Sequence, residues 1–148
     1  MFGLKLNEAK SMFFDSRKVL SATDRTRRRI LSKFGAYVRR TARSSIRKRK
    51  KVSQPGKPPT SRTGFLKRFI YFGYDPANQS IVVGPIRLNS KVGDAPQALE
   101  LGGKSTVVSG LKKKRKKKTV NIAARPFMRP AMEKELPKLP DLWKNSIR

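Results

Sequence analysis

Cysteine and histidine are both missing from this sequence. The first absence excludes disulfides and thiolate metal sites, and the second removes the commonest metal ligand and the usual general base. Acid is scarce: 9 Asp and Glu stand against 37 Lys and Arg, a formal net charge of +28. The carboxylates are scattered, and Glu133 and Glu135, two apart on a predicted helix, point in different directions. The chain has no Gly-rich phosphate cradle and no metal-ligand spacing, and no residue is singled out as a nucleophile or base. The expectation is therefore a protein that is not an enzyme and takes no metal or cofactor. Long apolar runs are absent too. The opening Met1-Phe2-Gly3-Leu4-Lys5 lacks a signal peptide's apolar core, and nothing approaches the ~20 apolar residues of a membrane span. A product of a cytoplasm with no membrane partner is expected.

What is present is mostly charge. Hydrophobic residues make up 36% and charged residues 31% of the 148, enough for one domain with a small core. A monomer of this charge repels itself and calls for a polyanion, acidic neighbours, or both.

Residues 1–15 read as an arm with a short strand near residues 10–14. A helix is predicted from Ser16 to about residue 49. Its thin apolar face comprises Val19, Thr23, Thr26, Ile30, Phe34, Tyr37, Thr41 and Ser45, which recur every three or four residues. A weak capping box, Ser21-x-x-Asp24, is a possible break. Residues 50–63 hold Pro55, Gly56, Pro58 and Pro59 and exclude both helix and central strand. They form either a linker or an arm lying across a neighbouring subunit. Phe69 to Tyr74 and Ser80 to Gly84 are β-branched and aromatic runs joined by the turn residues Asp75-Pro76-Ala77-Asn78-Gln79, a hairpin. Residues 95–103 read as a short helix with Pro near its start and Gly at its end. A second hairpin pairs residues 106–108 with 119–123. Its connection, residues 109–118, carries Lys112, Lys113, Lys114, Arg115, Lys116, Lys117 and Lys118. Seven adjacent cations project into solvent or onto a polyanion; DNA phosphate or an acidic protein are the candidate contacts. The basic flank of the long helix, Arg25 to Lys51, is a second candidate for phosphate, for which acidic protein neighbours compete.

The stretch Ala124-Arg125-Pro126-Phe127-Met128-Arg129-Pro130-Ala131 reads as a strand handing over to a helix. The residue before proline favours extended backbone, so Arg125 closes the strand, and proline suits a first helical turn. The helix's apolar stripe is Met128, Met132 and Leu136, which leaves Phe127 free to reach another surface. Residues 137–148 form a tail that Trp143 anchors. The fold class is α+β: a long N-terminal helix on a small antiparallel sheet, a projecting basic hairpin and a C-terminal helix within residues 16–136.

Several of these pieces, taken in order, resemble a known family. They are Thr41-Ala42-Arg43-Ser44-Ser45-Ile46, Pro55-Gly56-Lys57-Pro58-Pro59-Thr60-Ser61-Arg62-Thr63-Gly64-Phe65-Leu66, Ile81-Val82-Val83-Gly84-Pro85, Ala98-Leu99-Glu100-Leu101-Gly102-Gly103 and Ala124 to Ala131. Together they are similar to the neck, or tail-completion, proteins of long-tailed bacteriophages, also called minor tail or virion morphogenesis proteins. Leu101 stands where the family more often has an aromatic, and the basic hairpin tip is not a family hallmark. The resemblance implies a structural virion protein, assembled in the host bacterial cytoplasm. It would form a ring of six or twelve copies between the head–tail connector (portal adaptor) and the tail terminator or tail tube, around the genomic double-stranded DNA. In that setting the tip of residues 112–118 faces the lumen or an acidic ring. Pro55, Pro58, Pro59, Glu100, Arg125, Phe127 and Arg129 lie at a subunit interface, with Glu100 partnering one of the arginines. Phe127→Ala is then expected to loosen assembly and spare the monomer. The competing class is a basic nucleic-acid-binding protein of ribosomal or nucleoid type, which composition alone favours.

Overall fold

The computed structural model describes residues 16–86, 95–109, 116–144 and Ser146. The arm of residues 1–15, with its expected strand, and Lys112, Lys113, Lys114 and Arg115 lie outside them. The chain runs as helix α1 (Ser16–Ser45), a single turn α2 (Phe65–Arg68), the hairpin β1 (Ile70–Asp75) and β2 (Ser80–Pro85), and helix α3 (Ala95–Leu101). There follow the hairpin β3 (Gly103–Ser109) and β4 (Lys116–Ile122), helix α4 (Met128–Glu135), a 3-10 turn Leu136–Lys138 and helix α5 (Leu139–Lys144). The two antiparallel hairpins are separate two-stranded sheets, registered as Phe72 opposite Val83 and Ser105 opposite Val120. This is the expected α+β architecture.

The core is a line along α1. Ile30, Phe34, Val38, Ala42 and, just past the helix end, Ile46 are all buried. A four-residue step drifts about 40° around a helix of 3.6 residues per turn, so the stripe winds slowly about α1 and meets β1–β2 and α4 in turn. Ile70, Phe127 and Ala131 close it, with Leu66, Ile81, Val83, Leu99, Met128, Leu139 and Leu142 packed around. Each large side chain here contributes roughly 1.5–3 kcal/mol of burial. Gly35 permits the close approach of helix to sheet: a Cβ there would stand 2.7 Å from Cγ1 of Ile81 and 3.2 Å from Cδ2 of Phe72.

The buried stripe differs from the expected one. Val19 and Thr23 are exposed, and Thr26, Tyr37, Thr41 and Ser45 flank the core half-buried. Two stripes with helical spacing run side by side on α1, and the one with the larger apolar side chains faces the sheet. The helix also ends four residues earlier than expected, at Ser45. Chain reversal begins there: Ser61 N donates to the carbonyl of Arg47 at 3.0 Å, and Arg47 pairs with Thr60 in a parallel bridge. On α4 the expected stripe holds at Met128, which packs on the core, and fails beyond it. Ala131 and Glu135 point inward, and Met132 and Leu136 are exposed. In the tail, Leu139 and Leu142 make the core contacts while Trp143 is exposed, so the leucines are the anchor.

Candidate functional site

Three of the motifs behind the family resemblance meet at one node. Its centre is the entry to α4, a helix with no side-chain cap of its own. The first four N–H groups of a helix have no partner inside it. Glu100, at the end of α3, supplies one from afar: Oε2 accepts from the backbone N–H of Phe127 at 2.8 Å and of Met128 at 3.1 Å, and Oε1 from that of Arg129 at 2.8 Å. The fourth position is Pro130, which has no N–H to satisfy. Every orphan donor is thus accounted for by one carboxylate and one proline, and the carboxylate sits at the positive end of the helix dipole.

The flanking segments are tied to the same point. Arg125 N donates to the Leu99 carbonyl at 2.6 Å, and Gly56 N donates to the Ala124 carbonyl at 2.8 Å. The Arg125 guanidinium reaches back to the carbonyls of Ser53, 3.0 Å, and Ala123, 3.1 Å. Gly102 takes a left-handed φ of 78° and lies so close that a Cβ would meet Ala124 N at 3.0 Å, which no other residue tolerates comfortably. Pro55-Gly56, Leu99 to Gly102 and Ala124 to Pro130 therefore form one stitched junction.

This geometry corrects several expectations about the interface. Phe127 is 1% exposed and belongs to the chain's own core, because the helix start turns its ring inward beside Phe34 and Ile70. Pro59 is fully buried as well. Glu100 holds backbone amides instead of the expected guanidinium. Arg125 is turned inward beyond the last strand, β4 having ended at Ile122, and Arg129 is outward and paired with Glu133 at 3.0 Å. Of the proposed interface residues, Pro55 and Arg129 are exposed and Pro58 is half-buried. The proline-rich loop folds onto its own body: besides the Gly56 bond, Thr60 Oγ1 donates to the Lys51 carbonyl at 2.8 Å. It is a loop closed on its own body.

A second carboxylate, this one buried, fastens α4 to α1. Glu135 accepts from Thr41 Oγ1 and from Lys138 Nζ, both at 2.6 Å. These bonds, the lysine's first, hold its pKa below the ordinary glutamate value against the opposing effect of burial. Asp75 caps the β1–β2 turn, and its bonds with Asn78 lower its pKa also.

The basic hairpin differs from its expected form. Lys116, Lys117 and Lys118 are strand residues of β4, opposite Ser109, Val108 and Val107, so the connection is shorter than residues 109–118. Among the described residues no group of three Asp or Glu side chains comes together as a metal site, and no helix is long and apolar enough to cross a membrane. Compared with known proteins, the chain matches no family model, no curated protein and no solved structure.

Proposed function

We propose that this chain is a structural subunit of a tailed-phage virion, a ring-forming neck or tail-completion protein placed between the head–tail connector and the tail terminator or tube. The observation that carries the reading is the node. Short motifs that resemble the family, lying up to about seventy residues apart, serve one physical purpose: one carboxylate, two glycines and three prolines fix the entry of α4 against α3 and the loop after α1. Strings that resembled the family by accident would have no reason to converge.

Composition supports the same reading. The described core is small for a chain of 148 residues, and Leu20, Val82, Leu101, Met132 and Leu136 remain exposed. Burial of such side chains is completed against neighbouring subunits in a closed ring. With Phe127 assigned to the core, the sister-subunit contact passes to Met132 and Leu136 on the outward side of α4 and the turn after it. In this reading the chain acts by position instead of catalysis.

Light scattering at moderate salt, with purified connector rings added, tests this. Stoichiometric docking and a discrete copy number are expected. Tight binding to free RNA, with no affinity for connectors, would replace the neck reading with the ribosomal or nucleoid one.

A further inference from the structure

Opposite the core stripe, α1 carries a second line that the prediction of its apolar face did not isolate. Arg25, Arg29, Lys33, Ala36, Arg40 and Arg43 recur at intervals of three or four residues, and Arg47 continues the step just beyond the helix end. At 100° per residue these positions fall within about 80° of one another, on a line about 27 Å long from Arg25 to Arg43 at ~1.5 Å per residue. Arg25, Arg29, Lys33, Arg40 and Arg47 are exposed and Arg43 half-buried. The exposed cations Lys48, Arg49, Lys50 and Lys51 follow directly.

Nothing in the described chain neutralises this line. Each described carboxylate is engaged elsewhere: Asp24 with Arg27, Asp75 in its turn, Glu100 at the node, Glu133 with Arg129, Glu135 with Thr41 and Lys138, and Asp141 with Lys144. Arg25 and Arg29 touch only neutral carbonyls, those of Ser21 and Ser146. Like charges three and four residues apart destabilise a helix, so the line works against the fold that carries it.

We infer that this face of α1, continued by residues 47–51, is a docking surface for the phosphate backbone of double-stranded DNA. Three features choose that occupant. Arginine dominates the line, and its planar fork suits phosphate oxygens. The line contains no aromatic side chain on which an unpaired base would stack, so a single strand is disfavoured. Its only apolar member is Ala36, so it lacks the buried anchors around which protein interfaces are built. The choice of DNA over another duplex rests on the neck reading, in which the genome passes through the ring. The surface is distinct from the β3–β4 hairpin; the sequence offers both the hairpin tip and the basic flank of α1 to phosphate, and the fold narrows that flank to one line opposite the core stripe.

The test is fluorescence polarisation of a labelled mixed-sequence DNA duplex against the full chain over a salt series. The variant combines Lys33→Gln, Arg40→Gln, Arg43→Gln and Arg47→Gln, the positions whose side chains hold nothing in the fold. Each phosphate contact adds roughly 0.9 to the salt slope, so the slope should fall by about 3.6 and affinity at 0.1 M salt by on the order of 10³-fold. A rescue variant, Arg40→Lys with Arg43→Lys and Arg47→Lys, keeps the charge and should keep the slope, which separates lost charge from lost folding. Wild-type affinity and slope in the glutamine variant would overturn the inference. So would loss of binding only when residues 112–118 are neutralised, or loss of connector docking with DNA binding intact, which would make the face a site for an acidic protein. Connector docking is measured separately on the same samples. A chain that binds DNA through α1 and ignores connectors keeps this inference and loses the neck reading; one that docks on connectors without α1-dependent DNA binding does the reverse.

Discussion

The node at α4 and the outer face of α1 use charge in opposite ways. At the node a single carboxylate, Glu100, meets three backbone amides. On α1 a row of guanidinium and ammonium groups has no carboxylate at all among the described residues. In a chain with 9 acidic residues, negative charge is placed where the fold needs it: at a helix start, at a turn, and between α1 and α4. Positive charge is left over on the surface. The difference teaches which part of the molecule is architecture and which part awaits a partner. Substitutions at the first should cost stability and those at the second should not.

The largest effect is expected from Phe127→Ala. The ring is fully enclosed at the point where the node meets the core, and truncating such a phenylalanine costs about 3–5 kcal/mol. Urea unfolding of the isolated chain should show the loss in the monomer itself. A monomer of wild-type stability that assembles poorly would restore the interface role that the sequence suggested. Next comes Glu100→Ala, which strands three amides of α4 and removes a charge from the helix dipole. A lost cap costs about 0.5–2 kcal/mol and bonds to a charged acceptor count more than neutral ones, so about 2–3 kcal/mol is expected, with Glu100→Gln recovering part of it. If Glu100→Ala unfolds at the wild-type urea midpoint, the node is not holding the helix.

Much of this division was legible beforehand. The hairpin β1–β2, the short helix α3 and the proline-led start of α4 follow from local chemistry: β-branched runs around Asp75-Pro76, Pro96 near a helix start, Pro130 in a first turn. Glu100 was recognisable as a rare acid near two arginines. Its true partners were not, because they are backbone N–H groups some thirty residues on, and every residue but proline carries one. Phe127 was misplaced for a related reason. Helical periodicity ranks residues within the helix, and Phe127 is the residue before it, where chain direction and not period decides which way a side chain faces. The choice between parallel stripes on α1 depended on which neighbour arrived, a tertiary fact. The cationic line was in the sequence at helical spacing throughout, masked by how many other cations surround it.

Smaller effects sharpen the boundary between the two regions. Thr41→Val removes one of the two donors to Glu135 while leaving Lys138 in place. A hydrogen bond to a charged group contributes about 1.5–3 kcal/mol, and the exposed lysine partner partly compensates, so the low end is expected. The same carboxylate gives a pH signature. Because its pKa is lowered in the folded chain, its stabilisation is present above the unfolded-state value and is lost as pH falls through the folded one. Stability measured downward from neutral pH should therefore decline below the ordinary glutamate range. Thr41→Val should flatten that decline, and an unchanged acid limb would remove Glu135 from the account.

The smallest effect on stability belongs to the glutamine variant of Lys33, Arg40, Arg43 and Arg47, and its sign is the informative part. Replacing any ordinary exposed residue changes stability within about 0.5 kcal/mol. Here the variant also relieves like-charge pairs: Arg29 with Lys33, Arg40 with Arg43, and Arg39 with Arg43. Each such pair at helical spacing is unfavourable by about 0.2–0.5 kcal/mol. Thermal unfolding in low salt should then rise slightly, by roughly 0.5–1 kcal/mol equivalent, and the gain should fade as salt screens the repulsion. A surface that loses stability when neutralised is doing structural work, and the contrast with the node would collapse. A surface that gains stability when neutralised is one the fold would be better without, and its retention points outward, to whatever carries the opposite charge.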